Sequence, residues 1–313
     1  VTKDFKSHQY FSSPNQIISS LKSNLYGHNP ARMIYAPGHD VECCTGNVNR
    51  FMPYYVEQMW LSSPGNGLVA ALFGPSSVTA NVGINKDEIR IIEETDYPFS
   101  EEINFKIETK EKVSFPFFIR IPTWCTTPEI FINGEKTNLD IKQGAFTVLV
   151  REFLNGDIIT LKIPGDIKIS SWPNNEIGVE KGPLVFSLPV KMEQTIVEDY
   201  ERSTREFPAY EMYPQDSWNY GLVHSISEIR LEYHTIEGYP WDKGNSPISI
   251  KVPVKAVNNW KMVRVYDAIL DEDVFKTPAI PINPIFSEDL EYVNLVPYGA
   301  TTLRISLFPK VDK

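Results

Sequence analysis

The chain has 313 residues and a formal net charge of −10. This length is sufficient for two domains with sizeable cores. The acidic balance repels phosphate backbones and argues against a nucleic-acid partner. No apolar run reaches the ~18 residues that a membrane-spanning helix needs, so no membrane partner is expected. Three cysteines cannot form a disulfide framework.

Helical patterns occur only near the beginning of the chain. Ser13, Pro14 and Asn15 precede residues 16–21 and predict a short helix with a polar cap. A stronger pattern begins at Thr45, where one helical face would carry Val48, Phe51, Met52, Tyr55, Val56, Met59 and Trp60. Pro53 interrupts this pattern and predicts a kink or a break.

From Leu68 onward, apolar residues recur with a period of two, which indicates short β-strands. Clear examples are residues 117–121, 159–163 and 303–307. Asn133-Gly134 has the signature of a two-residue hairpin turn, and Asn155-Gly156 predicts a second turn. Residues 191–245 are acidic, aromatic and poorly periodic, and predict a long loop or packed arm. Its aromatic side chains would pack structurally or offer surfaces for sugar stacking.

Two adjacent cysteines, Cys43 and Cys44, stand immediately before the stronger helical pattern. Neighbouring residues rarely form a disulfide, because their Cα atoms lie only ~3.8 Å apart. The pair is therefore a candidate for metal ligation or nucleophilic chemistry. The alternative is that both are small buried apolar side chains, as most free cysteines are.

Residues 37–50 (PGHDVECCTGNVNR) resemble the cysteine motif of the β-L-arabinofuranosidases of glycoside hydrolase family 127, to which family 146 is closely related. Further similar motifs follow in the expected order: residues 94–99 (ETDYPF), 120–125 (RIPTWC), 180–185 (EKGPLV), 295–299 (LVPYG) and 303–306 (LRIS). Each motif is weak alone, but the ordered set is specific.

The resemblance implies a mainly β chain with two β-sandwich domains, preceded by the last helices of an (α/α)6 barrel. Residues 1–62 would be the barrel remnant, 66–170 the first sandwich and 171–313 the second. Twelve helices of ~11 residues exceed what the first part of this chain can supply. We therefore expect most of the barrel to lie outside it. The chain also begins at Val1 without a signal-like run, as a mature product or a fragment would.

The resemblance also implies chemistry. Cys43 would be the nucleophile of a retaining glycosidase and a zinc ligand, and Cys44 a second zinc ligand. The family supplies the other two ligands, a Glu and a Cys, and the general acid/base from preceding sequence. Val41 stands where the characterised arabinofuranosidases have a further cysteine. This difference leaves the identity of the substrate sugar undetermined.

The other candidate residues have weaker signals. His39 is a candidate substrate contact or ligand, and Glu42 is either a site residue or a solvated charge. Cys125 is predicted to lie in a core. The remaining histidines show no ligand spacing and are predicted to be surface or packing residues: His8, His28, His224 and His234.

Three functions remain open at this point. The first is the C-terminal part of a zinc- and cysteine-dependent glycoside hydrolase acting on a glycan. The second is a non-catalytic β-sandwich module that binds carbohydrate or supports a barrel. The third is a structural or adventitious metal site at Cys43 and Cys44. Expected partners are a glycan and either a missing barrel segment or a second copy of the chain.

Overall fold

The structure is a computed structural model, and it describes residues 1–23, 30–242, 244–268 and 271–312. The chain forms two compact units. The middle unit is Asn47–Asp166, and the split unit combines Val1–Gly46 with Ile167–Lys313. The described residues are mainly β, as predicted, with one α-helix, α1 (Cys43–Glu57). No helix among them is long and apolar enough to cross a membrane.

The middle unit contains two facing sheets with the strand orders β1-β2-β6-β9 and β3-β4-β5-β10-β7-β8. Its strands are β1 (Trp60–Ser63), β2 (Gly67–Ala70), β3 (Ser76–Val82), β4 (Asp87–Glu94), β5 (Glu102–Thr109), β6 (Val113–Arg120), β7 (Glu129–Ile132), β8 (Glu135–Lys136), β9 (Phe146–Phe153) and β10 (Ile158–Lys162). The alternation of buried and exposed residues puts one face of each sheet into a shared apolar core. This arrangement is a β-sandwich.

Local sequence signals account for much of this unit. Asn133 and Gly134 have φ values of 52° and 84° and join β7 to β8, which confirms the predicted hairpin. Gly156, with φ 86°, lies in the predicted turn between β9 and β10. Cys125 is fully buried in the core, as predicted.

The carboxyl group of Glu93 is buried at the edge of this core and is 1% exposed. Its oxygens accept hydrogen bonds from the Gly74 N–H at 3.0 Å and the Ser76 hydroxyl at 3.2 Å. Burial raises the pKa of Glu93 to about 7, and the two hydrogen bonds only partly oppose this. Ionised Glu93 therefore destabilises the folded middle unit.

We expect Glu93→Gln to stabilise the middle unit at about pH 8 by roughly 2–3 kcal/mol and to have little effect near pH 4.5. Because the folded-state pKa lies above the unfolded value, wild-type stability falls as the pH rises between the two values. Above the folded-state pKa, the stability of the wild-type protein stays low. Glutamine keeps an oxygen acceptor and cannot ionise. Urea titrations read by hydrogen exchange of β3 and β4 peptides measure the difference. The matched control is Glu94→Gln on the exposed face, and equal effects of both variants would contradict the assignment.

The split unit contains one large sheet and two separate hairpins. In chain order, the strands of the whole unit are β11 (Ile167–Trp172), β12 (Glu176–Lys181), β13 (Leu184–Pro189), β14 (Met192–Val197), β15 (Ala209–Pro214), β16 (Tyr220–Val223), β17 (Arg230–Tyr233), β18 (Ile248–Ala256), β19 (Val263–Asp267), β20 (Glu272–Lys276), β21 (Glu291–Pro297), β22 (Arg304–Ile305) and β23 (Phe308–Val311). Strand pairing closes a ring in the order β12-β23-β16-β18-β21-β13 and back to β12. β14–β15 and β19–β20 form separate hairpins.

The prediction of a short helix at residues 16–21 is wrong. This segment is extended, and Gln16 and Ser19 make backbone bridges to Arg304 and Met212. The Ser13 hydroxyl donates to the Asn15 carbonyl, a local bond that competes with helix formation. Pairing with strands that are distant in sequence therefore overrides the local signal.

Two further expectations for the split unit are corrected. Residues 191–245, predicted as a loop or arm, contain four strands, β14 to β17. In residues 303–307 the polar side chains do not alternate toward solvent, because Arg304 and Ser306 are both 3% exposed. Both are hydrogen-bonded to the N-terminal segment, which removes the cost of burying them.

Helix α1 begins at Cys43, runs through Pro53 and ends at Glu57, so the proline does not break it. Its apolar face is partly exposed, since Val48, Phe51, Met52 and Val56 are all exposed. The segment predicted as a barrel remnant, residues 1–62, is divided between the two units at Gly46. Its origin in a barrel remains a prediction.

Candidate functional site: a tyrosine and two thiols at a helix start

Backbone pairing brings the N-terminal segment beside the cysteines. The N–H of His8 donates to the carbonyl of Ala36 and the N–H of Ala36 donates back, both at 2.9 Å. Tyr35, in the same segment as Ala36, exchanges a similar pair of backbone hydrogen bonds with Tyr210 of β15. Residues 32–36 therefore lie between residue 8 and β15, with Ile34 and Ala36 in a small core. This pairing places Tyr10 beside Cys43 and Cys44.

Glu42 fixes the start of α1. Its carbonyl accepts the first helical hydrogen bond, from the Gly46 N–H at 2.8 Å. Its carboxylate accepts hydrogen bonds from the Thr45 hydroxyl and the His39 N–H. Burial tends to raise the pKa of Glu42, but these hydrogen bonds outweigh burial and leave it below its ordinary value. Glu42 is thus a helix-capping anion and more than a solvated charge.

Both thiols are exposed and share one partner, the hydroxyl of Tyr10. The Tyr10 oxygen lies 2.8 Å from Cys43 Sγ and 3.2 Å from Cys44 Sγ. The two sulfur atoms therefore converge on one point in front of the first turn of α1. Unpaired backbone N–H groups at a helix start favour negative charge there.

The pair of thiols and the phenol influence each other's ionisation. The hydrogen bond from Tyr10, followed by one from Cys44, lowers the pKa of Cys43. The same contacts raise the pKa of Tyr10, since a phenolate would face the sulfur atoms. Tyr10 therefore stays protonated and is able to donate a hydrogen bond to the Cys43 sulfur, which stabilises its thiolate form. This arrangement favours a nucleophilic sulfur at neutral pH.

We expect Tyr10→Phe to slow the reaction of Cys43 with iodoacetamide about three- to tenfold at neutral pH, because the thiolate loses its strongest donor. The rate is measured by peptide mass spectrometry in the presence of a chelator, as a function of pH. Tyr54→Phe is the matched control, since Tyr54 is an exposed tyrosine of α1. An unchanged pH profile in Tyr10→Phe would show that the tyrosine does not tune the thiol.

An ion pair fixes the surroundings of Tyr10. Arg32 donates two hydrogen bonds to Asp40, from Nε at 2.8 Å and from Nη2 at 2.6 Å. These bonds lower the pKa of Asp40. The Arg32 guanidinium lies 6.0 Å from the centre of the Tyr10 ring and 5.9 Å from that of Phe11. The cluster places a cation behind the ring whose hydroxyl contacts the thiols.

His39 is buried, at 2% exposure, and its Nε2 lies 3.0 Å from the His8 carbonyl oxygen. The rings of His8 and His39 meet edge to face at 5.0 Å, and His8 Nε2 lies 3.4 Å from Glu42 Oε2. His39 therefore supports the loop before α1, and its contact with substrate or metal remains a prediction. His8, predicted as a surface or packing residue, packs here. His28 lies outside the described residues.

The donor set fits part of a zinc site. Zinc prefers thiolate and imidazole ligands and takes about four of them, and the two sulfur atoms of Cys43 and Cys44 converge. Among the described residues, no group of three or more His, Cys, Asp or Glu side chains is placed to hold a metal ion. A complete site therefore requires ligands beyond these two cysteines.

Sequence reasoning found the cysteines but missed Tyr10, Arg32 and Asp40. Asp40 stands inside the cysteine motif, so its nearness to Cys43 was visible. Tyr10 lies 33 positions before Cys43, and only the pairing of its segment with residues 32–36 brings it close. The buried apolar run at residues 33–36 was the available signal for that pairing.

Comparison with known proteins gives one sequence match. Residues 67–165 match the family described as "Beta-L-arabinofuranosidase, GH127 middle domain". This range lies within the middle unit and covers nearly all of its sandwich. No curated protein matches the chain.

Solved structures share the fold. One is Ara127N-Se, a GH127 β-L-arabinofuranosidase from Geobacillus stearothermophilus T6, with a TM-score of 0.60 and 18% identity over 89% of this chain and 39% of that one. A protein described as a glycoside hydrolase has a TM-score of 0.60 and 18% identity, over 89% and 41%. The GH127 β-arabinofuranosidase BT3674 has a TM-score of 0.58 and 16% identity, over 89% and 40%.

The chain thus spans about two-fifths of the length of the structures it matches. At these identities the structural likeness establishes the fold, and the sequence match independently points to the same family. Residues 67–165 therefore match the GH127 middle-domain family in sequence, and the chain shares the fold of GH127 structures over 89% of its length.

Proposed function

We propose that this chain is the C-terminal part of a zinc- and cysteine-dependent retaining glycoside hydrolase. Its substrates would be β-L-arabinofuranosides or related sugars of plant glycans. The observation that carries the proposal is the exposed Cys43–Cys44 pair at the start of α1, with the Tyr10 hydroxyl 2.8 Å from Cys43 Sγ. The GH127 match of residues 67–165 supports the same class.

In the proposed reaction, the Cys43 thiolate attacks the anomeric carbon of the sugar. A carbon–sulfur bond forms as the glycosidic carbon–oxygen bond breaks, and the leaving oxygen takes a proton from an acid outside the described residues. Water then attacks the same carbon and gives its proton to the conjugate base of that acid, the carbon–sulfur bond breaks, and the thiolate is restored. Two inversions retain the configuration, as in carboxylate-based retaining enzymes.

This chain's own residues would prepare the thiolate. Tyr10 donates a hydrogen bond to Cys43, and Arg32 and Asp40 hold the tyrosine ring in place. Cys43 and Cys44 would hold a zinc ion, which keeps bound thiols deprotonated at neutral pH. The remaining ligands would come from chain outside the described residues.

Activity and zinc content are the direct test. The full-length protein that contains this chain is expected to hydrolyse an aryl β-L-arabinofuranoside and to retain about one zinc ion after dialysis. The 313-residue chain alone is expected to be inactive, because losing the general acid costs about 10²–10⁴-fold. It should also lose zinc. A full-length protein inactive on furanosides would contradict the proposal, and equimolar zinc on the isolated chain would contradict the need for further ligands.

A further inference from the structure

A cleft of about 550 Å³ opens on the split unit, lined in part by β11, β12 and β13, and neither Cys43 nor Cys44 lines it. Strand register places Glu180 of β12 opposite Lys168 and Val185, and Gly178 opposite Ser170. These residues therefore share the face that lines the cleft. Without a side chain at Gly178, the floor lies at the level of the backbone.

Three aromatic side chains line the cleft. Trp172 is 52% exposed, and its indole N–H donates to the Ser170 hydroxyl at 3.1 Å, which orients the ring. Trp241 lies so close to Gly299 that a Cβ there would be 2.6 Å from the indole ring, so only glycine allows this packing. The Arg304 guanidinium lies 4.3 Å from the centre of the Tyr298 ring. The aromatic side chains are thus fixed before any ligand binds.

The charged side chain that lines the cleft is the carboxylate of Glu180. It is partly buried, and within the described residues it has neither a hydrogen bond nor an ion pair. Lys168 lies opposite Glu180 in the strand register. Within the described residues, these two side chains nevertheless form no ion pair with each other. A partly buried carboxylate without a partner retains its full capacity to accept hydrogen bonds.

We infer that this cleft binds a neutral sugar ring of a glycan, as a non-catalytic site separate from Cys43. Indole rings stack on the apolar face of a sugar, and a carboxylate accepts hydrogen bonds from two adjacent sugar hydroxyls. A small organic cation would also suit aromatic rings and a carboxylate. The cleft volume, in the range of ligand pockets of ~300–1,000 Å³, favours the larger sugar unit.

The test titrates the 313-residue chain with arabinotriose, xylotriose and tetramethylammonium chloride as separate probes. Binding is followed by nuclear magnetic resonance of the tryptophan indole N–H groups. The variants are Trp172→Ala and Glu180→Gln, with Tyr233→Ala as a matched control, since Tyr233 is an exposed aromatic residue on β17 of the same unit. A Cys43→Ser chain separates this site from the proposed catalytic one.

We expect at least one of the two trisaccharides to bind and to shift the Trp172 signal. Trp172→Ala and Glu180→Gln should each weaken binding about tenfold or more, and Tyr233→Ala and Cys43→Ser should leave it unchanged. Because Cys43 does not line the cleft, sugar binding there is read independently of hydrolysis, and a failed hydrolysis assay would not affect this result. Three outcomes would overturn the inference: no binding of either trisaccharide, equal binding by Trp172→Ala, or tighter binding of tetramethylammonium.

Discussion

Cys43→Ser is expected to reduce hydrolysis by the full-length protein about 10³-fold or more, because an alkoxide is far harder to generate than a thiolate at neutral pH. The structure makes Cys43 the thiol with the lowered pKa and the shorter contact to Tyr10, 2.8 Å against 3.2 Å for Cys44. The measurement is the turnover rate on an aryl β-L-arabinofuranoside, with zinc content determined for every variant.

The two other cysteines serve as controls. Cys44→Ser should weaken zinc binding and reduce activity through that loss, so added zinc should restore part of the rate. Cys125→Ser should change stability at most, since Cys125 is buried in the core of the middle unit. Near wild-type turnover in Cys43→Ser would exclude Cys43 as the nucleophile, and would favour a non-catalytic role for this chain within the full-length protein.

Arg304→Ala is expected to destabilise the split unit by about 3 kcal/mol or more, because hydrogen bonds to a charged group contribute ~1.5–3 kcal/mol each. The Arg304 guanidinium is buried and donates to the Ser12 hydroxyl, the Ser13 carbonyl and the Tyr298 hydroxyl, at 2.7, 2.9 and 2.7 Å. It thus attaches the N-terminal segment to β22. The same segment holds Tyr10 beside the cysteines. Loss of its attachment in Arg304→Ala should therefore also reduce the reactivity of the Cys43 thiolate.

Hydrogen exchange of peptides from residues 8–23 measures this effect, together with urea unfolding. The matched control is Arg264→Ala, since Arg264 is an exposed arginine of β19 whose ion pair with Asp273, at 3.1 Å, should contribute about 1 kcal/mol or less. Arg304→Lys, which keeps the charge with fewer donors in the fork, should have an intermediate effect. Unchanged protection of the N-terminal segment in Arg304→Ala would show that the guanidinium does not hold it.

Local patterns predicted the middle unit well. Its longer strands, such as β4, β5, β6 and β9, alternate between a buried and a more exposed face. Its turn at Asn133-Gly134 needs positive φ values that these residues adopt easily. The cysteines at the start of α1 were also visible, because a helical pattern follows them directly. In each case, residues that are close in sequence determine the structure.

Distant pairing determines what the sequence did not reveal. Residues 16–23 are not helical, because Gln16, Ser19 and Ser23 bridge to Arg304, Met212 and Phe275, and no local signal carries that information. Arg304 follows the alternation of a half-exposed strand, yet buried oxygen acceptors from the N-terminal segment surround it. Tyr10 reaches the thiols by the same route, so the part of the candidate site that tunes Cys43 could be found only in the folded chain.

The most direct test of the central claim is to isolate the sugar bound to the protein. The full-length enzyme would be mixed with an aryl β-L-arabinofuranoside that releases its leaving group quickly, quenched in acid and mapped by peptide mass spectrometry. We predict one pentose residue on the peptide that contains Cys43, attached to Cys43 and missing in Cys43→Ser. A burst of leaving group with the sugar attached to a different residue, or rapid turnover with no sugar on any peptide, would contradict it.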